Sequence, residues 1–524
     1  MQRQQERERV QAAQADQHAD VRLPRGARKS AAAYPPNELP CFPIRQIVLD
    51  GKNSERYAWA LIAANDALGR CLGSAGVNVL IGQVQNALVS AGYVTTRVLA
   101  APQDLRSGKL ALTLVPGRVR AIRFVQKDPH ASAWTALPVS AGDTFNVRDI
   151  EQGLENFKRV PTVEADLEIV PGEQPGDSDL LINWTQARMF RADLSVDDSG
   201  SAATGKYQGG ATLSVDNPFG WQDLFYVTLN SHLYGQAQPG EHGTKGWAAH
   251  YSVPVGYWLM ALQANEFRYH QTVAGATQNY IYSGTSFNSE FKITRLIYRD
   301  GVRKTTVSLG AYQRRSRNFI EDTEVEVQRR RMGGFNLSLT HKEFIGDATL
   351  GGALTYTKGT GAFGSIRAPE EAYGEGLARP QLINADLSLG WPIGQHLQYQ
   401  AVWRAQWNRT PLIPQDRFAI GGRYTVRGFD GEATLSAERG WLVRNELGWS
   451  VGGAQQIYVA LDVAQVAGPS ASRLLGTRLA GAALGWRGQF KNLQYDLFAG
   501  APIRKPAGFR TAAIAHGFNL NYKF

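Results

Sequence analysis

A single arginine stands among apolar anchors in Val426-Arg427-Gly428-Phe429, near the middle of a segment from about Thr410 to Ala437 that carries no strand or helix period of its own. Loops of that length in compact proteins are either functional or disordered. Phe418, Ile420, Tyr424, Val426 and Phe429 argue against disorder. A guanidinium held this way can do one kind of chemistry, which is to bind a fixed anionic partner. Other patterns match catalytic motifs by letter and fail on context. Gly448-Trp449-Ser450-Val451-Gly452 spells a nucleophile elbow, which requires a strand-to-helix turn. Here a strand ends in Gly452-Gly453 and another strand follows. Gly200-Ser201-Ala202-Ala203-Thr204-Gly205-Lys206 is nearly a phosphate loop. Tyr207 stands where Ser or Thr would hold magnesium, and the next element is again a strand. No His-Glu-x-x-His occurs, and the nine histidines are scattered. No catalytic residue, metal site or cofactor is expected.

The enclosure of the loop is legible from about Met189 to Phe524. Segments of about 10–15 residues alternate with period two, separated by Gly, Asn, Asp and Pro clusters, the pattern of tilted strands in an outer-membrane barrel. Phe518, Leu520, Tyr522 and Phe524 fall on one face of the last strand, and Gly517, Asn519, Asn521 and Lys523 on the other. Ile457, Val459, Leu461 and Val463 likewise oppose Tyr458, Ala460, Asp462 and Ala464. About sixteen strands are expected, starting near 189, 206, 222, 246, 257, 281, 302, 324, 346, 380, 396, 438, 456, 477, 492 and 512. No apolar run is long enough for a membrane-spanning helix. Trp391, Trp407, Trp441, Trp449 and Trp486 suit interfacial girdles or ordinary strand packing. The net charge of +10 could indicate nucleic acid. No stacking module accompanies it. A basic lumen or anionic lipid headgroups account for it better.

The N-terminal third follows other rules. Residues 1–30 are polar all round, which suits either a helix in a wet space or a solvated tail. They lack the apolar core of a signal peptide. The chain therefore reads as a mature exported form carrying a start Met. A linker over 31–40 contains Pro35-Pro36. Two small α/β units of about 70 residues each follow, over 41–116 and 117–186. In the first, Ile44–Leu49, Val94–Ala100 and Lys109–Val115 read as strands, and Tyr57–Leu68 and Val79–Ala91 as helices. In the second, Val119–Val125, Val163–Val170 and Asp179–Trp184 read as strands and Val147–Phe157 as a helix. Cys41 and Cys71 are the only cysteines. An even count in an exported chain favours a disulfide over two free thiols. It would contribute about 3 kcal/mol by closing its loop.

Taken in this order, the features resemble a two-partner secretion outer-membrane transporter of the TpsB family, the exporters of haemolysins, filamentous haemagglutinins and contact-dependent-inhibition toxins. The resemblance covers essentially the whole chain. It rests on Pro40-Cys41-Phe42-Pro43-Ile44, Asp197-Asp198-Ser199-Gly200-Ser201 with Thr204-Gly205, Asp216-Asn217-Pro218-Phe219-Gly220 with Asp223, and Val426-Arg427-Gly428-Phe429. Phe219 stands where the family often has Leu, and Ala464 where it usually has Gly. The resemblance implies a mainly β fold: two periplasmic POTRA units over 41–116 and 117–186, then a sixteen-stranded barrel over 187–524 with the loop of about 410–437 folded inward. Residues 1–30 would be a plug helix in the barrel. Arg427 would pair with the lumenal carboxylate Asp462 on the thirteenth strand. The function implied is type V secretion through a porin-like channel in the bacterial outer membrane, without ATP. The cargo would be a large β-helical exoprotein (adhesin, haemolysin or contact-dependent toxin) bound through its N-terminal secretion domain. Val94–Ala100 and Val163–Val170 are the candidate edges for its capture. Other implied partners are outer-membrane lipids and the barrel-assembly machinery, with no nucleic acid. Two alternatives stand beside this reading, an assembly insertase of the same superfamily and a barrel enzyme.

Overall fold

The computed structural model describes residues 20–23, 33–233 and 240–524. The plug helix expected over 1–30 therefore lies outside the described residues, apart from Asp20 to Leu23. Those four are not helical. The N–H groups of Val21 and Leu23 are given to side chains elsewhere in the fold instead of to a helical ladder.

The first small unit is a three-stranded sheet in the order Gln46–Asp50, Lys109–Val115, Arg97–Leu99. Leu80, Val84 and Leu88 recur every fourth residue on the helix Ser74–Ser90, which packs them against Leu110 and Leu112 of the central strand. That periodicity is why this segment is a helix. The other expected helix winds as a 3-10 helix over Ser54–Ala67 and buries Tyr57, Ala60, Ala64 and Ala67. The helix Ser74–Ser90 has no capping side chain of its own. Glu38 of the linker supplies one, accepting the Gly73, Ala75 and Gly76 N–H groups at 2.8 Å each. A carboxylate at a helix N-terminus is favourable both as acceptor and as charge. Cys41 and Cys71 are joined in a disulfide beside the short pair Phe42–Pro43 and Cys71–Leu72.

The second unit repeats the arrangement, with Arg118–Phe124, Asp177–Gln186 and Val163–Pro171 in that order. Ile150, Leu154 and Phe157 of the helix Val147–Lys158 fill its core together with Leu180, Ile182 and Trp184. The same helix also buries Arg148, Glu151, Gln152, Glu155 and Asn156. Nothing in the periodicity of that helix signals a buried polar face.

Sixteen antiparallel strands then close into a barrel, the last (Ala515–Lys523) pairing with the first (Phe190–Asp197). Strand starts fall within a few residues of expectation. The largest slip is the eighth strand, expected near 324 and found over Arg330–Ile345. Thr323–Glu324 folds back on the seventh strand, and a turn of 3-10 helix over Glu326–Gln328 intervenes. On the thirteenth strand, Gln455–Ala467, Val459 and Leu461 face outward while Tyr458, Ala460, Asp462 and Ala464 are buried. Such alternation is what a wall between lipid and lumen requires. The five tryptophans proposed for girdles all point outward.

Candidate functional site

The segment between the eleventh strand (Leu397–Asn408) and the twelfth (Arg439–Gly452) folds into the barrel. It has more structure than its sequence suggests, because Phe418–Ile420 pairs with Leu435–Ala437. Three residues a side are too few for alternation to be read from sequence. Beyond Ile420 the chain turns tightly, with the Thr425 and Val426 N–H groups donating to Gly422 O at 2.8 and 2.9 Å. The turn sends Val426 and Arg427 to opposite environments.

Val426 enters an apolar cluster with Phe418, Ile420, Phe429 and Leu435 of the loop and Leu442, Ala464, Val466, Leu479 and Phe509 outside it. Phe429 meets Phe509 edge to face at 5.9 Å. Arg427 turns to the barrel wall and spends every guanidinium nitrogen there. Nε and Nη2 donate to the two oxygens of Asp462 at 2.8 Å each, Nη2 also reaches Asn445 O at 3.1 Å, and Nη1 binds Glu446. The Arg427 backbone N–H adds a further bond to Asp462 at 2.8 Å. Asp462 is 0% and Arg427 6% exposed. Arg444 and Arg487 flank the pair of acids, Arg444 at 3.7 Å from Asp462 and Arg487 at 2.5 Å from Glu446.

The loop can approach so closely because the facing wall is bare. A Cβ on Gly481, which pairs with Asp462 across the strands, would lie 2.0 Å from Arg427 O. Gly428 has φ +99°, and a Cβ there would lie 2.4 Å from Ala501 O. Glycine is required on both sides of this contact. A second loop arginine, Arg423, binds Asp198 after the first strand, and Asp198 also accepts the Phe518 N–H of the last strand at 2.9 Å.

The structure thus brings Val426, Arg427, Gly428 and Phe429 together with Asp462, and leaves Cys41 and Cys71 in the first small unit. Sequence reading missed Glu446, although it shares the inward face of the twelfth strand with Leu442 and Arg444. It also missed the Arg423–Asp198 pair, for which no local signal exists. Asp216 of the second hairpin string binds Arg191 at 2.7 Å and Thr162 of the second unit at 2.9 Å, and Asn217 donates to His130 O at 3.0 Å. That string is a joint between barrel and unit. Ser450 lies on the twelfth strand just before a hairpin turn, and the segment Gly200–Lys206 is also followed by strand. Neither has the helix its look-alike motif needs.

Residues 176–488 match the family model of the haemolysin secretion/activation protein ShlB/FhaC/HecB. A ShlB-type POTRA domain matches over 42–117 and a further POTRA domain over 118–171. The whole chain is 36% identical to the outer membrane transporter CdiB-2 of Burkholderia pseudomallei, covering 94% of it. Over 80% of the chain it is 25% identical to the hemolysin transporter protein ShlB of Serratia marcescens, covering 74% of that protein. Among solved structures, CdiB from Acinetobacter baumannii superposes with a TM-score of 0.86 at 29% identity, over 100% of this chain and 97% of that one. CdiB from Escherichia coli superposes with a TM-score of 0.87 at 23% identity, over 100% and 98%.

Proposed function

The chain belongs to the ShlB/FhaC/HecB haemolysin secretion/activation family of outer-membrane transporters, and from that premise we propose that the Arg427 cluster is the conformational latch of an export pore. The observation that carries this is a buried guanidinium with all its nitrogens paired to the barrel wall. In a confined lumen an unpaired guanidinium is costly, so the loop has one strongly preferred seat. A cargo passing the barrel must share the lumen with that loop or displace it.

The cargo is a large exoprotein, an adhesin, haemolysin or contact-dependent toxin, recognised in the periplasm by its N-terminal secretion domain. Relatives named as hemolysin and CdiB transporters support this class. Arg97–Leu99 and Val163–Pro171 are edge strands of their sheets. Gln85 binds Thr96 O and the Val98 N–H at the first, so Val163–Pro171 is the edge proposed for an extended segment to pair with. The polar segment 1–30 closes the channel at rest. Lipid surrounds the outward strand faces, and the barrel-assembly machinery inserts them. Net export draws on folding of the cargo outside, and the pore itself performs no catalysis.

The test is secretion by cells carrying Arg427→Ala. Export is expected to fall at least tenfold with the barrel still inserted, and wild-type export would remove Arg427 from the mechanism. Exchanging the charges (Arg427→Asp with Asp462→Arg) asks whether the pair itself matters. Deleting residues 1–30 is expected to raise channel conductance; unchanged conductance would refute the plug. Loss of many barrel proteins on deleting the gene, in place of one exported partner, would favour an assembly insertase.

A further inference from the structure

The buried polar face of the helix Val147–Lys158 meets the barrel rim across residues Asp20 to Leu23. Glu155 accepts the Val21 N–H at 3.0 Å, and Glu151 accepts the Leu23 N–H at 2.9 Å. Arg299, at the end of the sixth strand, donates to the Val21 carbonyl at 2.5 Å. The geometry is matched for an extended chain. Two glutamates four residues apart on a helix are separated by about 6 Å along its axis, and N–H groups two residues apart on a strand by about 6.6 Å. The side chains of this segment make contacts of their own. Val21 and Leu23 lean on the core of the second unit. Arg22 lies over the Phe344 ring at 4.0 Å, and Asp20 reaches Lys342.

The acids that hold the main chain are themselves paired within the site. Glu151 meets Arg148 at 2.6 Å and Arg299 at 3.2 Å, and Glu155 meets Arg299 at 2.9 Å as well as Lys304. Burial pushes the Glu155 carboxyl up, but Arg299 and Lys304 outweigh it and hold the group ionised. The site is therefore built from the helix and rim alone and does not depend on residues 20–23 for its assembly.

We propose that this junction is a receptor for an extended peptide backbone, filled at rest by the chain's own residues 20–23 and opened to an extended segment of the cargo when that strap leaves. The ligand class is an unfolded chain with apolar residues at alternate positions, recognised through its N–H and C=O groups. This deepens the export reading, on which it rests: withdrawal of the N-terminal segment vacates a cargo site beside the channel mouth. Because the strap is tethered, it competes at high effective concentration and keeps the site closed until it is pulled away.

The probe is a fluorescent peptide of residues 18–25, followed by anisotropy with the full-length protein in detergent. Wild type is expected to bind it weakly. A strap-loosened chain carrying Val21→Pro and Leu23→Pro, which removes both N–H groups, is expected to bind at least tenfold more tightly. Adding Glu151→Ala and Glu155→Ala, which removes both acceptors, is expected to abolish that gain. A second measurement needs no change in the receptor, because a peptide N-methylated at its Val21 and Leu23 positions keeps every side chain and is expected to lose binding. No binding to the loosened chain, or equal binding of the N-methylated peptide, would overturn the proposal. Either result leaves the secretion phenotype of Arg427→Ala untouched, so this failure and failure of the latch are separable.

Discussion

Arg427 with Asp462 and Glu446 in the lumen, and Arg299 with Glu151 and Glu155 where the second unit meets the rim, are both buried arginine–carboxylate clusters. Their chemistry is alike and their use is different. In the lumen the arginine belongs to the captured segment, and its side chain carries the recognition. At the rim the arginine belongs to the receptor, and the captured segment contributes main chain. The lumenal cluster is backed by Val426, Phe429 and Phe509 and by glycine on both faces of the contact. The rim cluster is backed mainly by its own ion pairs. A side-chain latch with a packed backing accepts one sequence. A main-chain receptor accepts many.

The sharpest way to break this comparison is to remove the lumenal arginine. Arg427→Ala leaves Asp462 and Glu446 buried beside fewer counter-charges, and losing one partner of such a pair costs about 3–5 kcal/mol. Hydrogen exchange in residues 422–431 is expected to speed by two orders of magnitude or more. Exchange as slow as wild type would mean that the apolar cluster alone seats the loop.

Gly481→Ala tests the backing without touching a charge. Its Cβ would fall 2.0 Å from Arg427 O, and the contact is backbone, so the loop must lift. The expected loss is about 1–3 kcal/mol, with faster exchange in the same residues. An unaffected loop would show that the close approach is dispensable.

The disulfide lies in neither cluster. Replacing Cys41 and Cys71 with Ala is expected to lower the stability of the first periplasmic unit by about 3 kcal/mol, read as earlier urea unfolding. Loop exchange at 422–431 should not move; if it does, the first periplasmic unit and the lumen are coupled.

The smallest effect concerns pH at the rim. Asp149 contacts Tyr257 in the turn between the fourth and fifth strands. Burial pushes its carboxyl up to about 6, Tyr257 offsets part of that, and Asp143 adds to it. A carboxyl raised above its unfolded value of about 3.9 stabilises the docked state fully below that pH. The contribution is lost as pH rises through about 6. Exchange in residues 252–258, corrected for intrinsic rates, is expected to speed between about pH 4 and 6.5 and then level off. Asp149→Asn should remove the dependence, and a profile unchanged in that variant would assign it to another group.

Much of the lumenal site was legible before any coordinates. Alternation on Gln455–Ala467 put Asp462 on the inward face, and the overlong loop marked Arg427. The same parity argument applied to Leu442, Arg444 and Glu446 would have found the second carboxylate. The rim site was not legible in that way. Helical spacing marked Val147–Phe157 as a helix and carried no sign that Glu151 and Glu155 are buried. They are buried because a barrel rim and residues 20–23 cover them. The Arg423–Asp198 pair was hidden for the same reason, since it spans the seam where the barrel closes.

By itself the sequence determined the strand number, the face of each strand residue and the existence of an anchored inward loop. These follow from local periodicity, which the backbone imposes two or four residues at a time. Only the tertiary structure decided which charges meet, how Gly481 admits the loop, and that a stretch of the N-terminal segment is held by main chain at the rim. Those contacts join residues tens to hundreds of positions apart, and no local period records them.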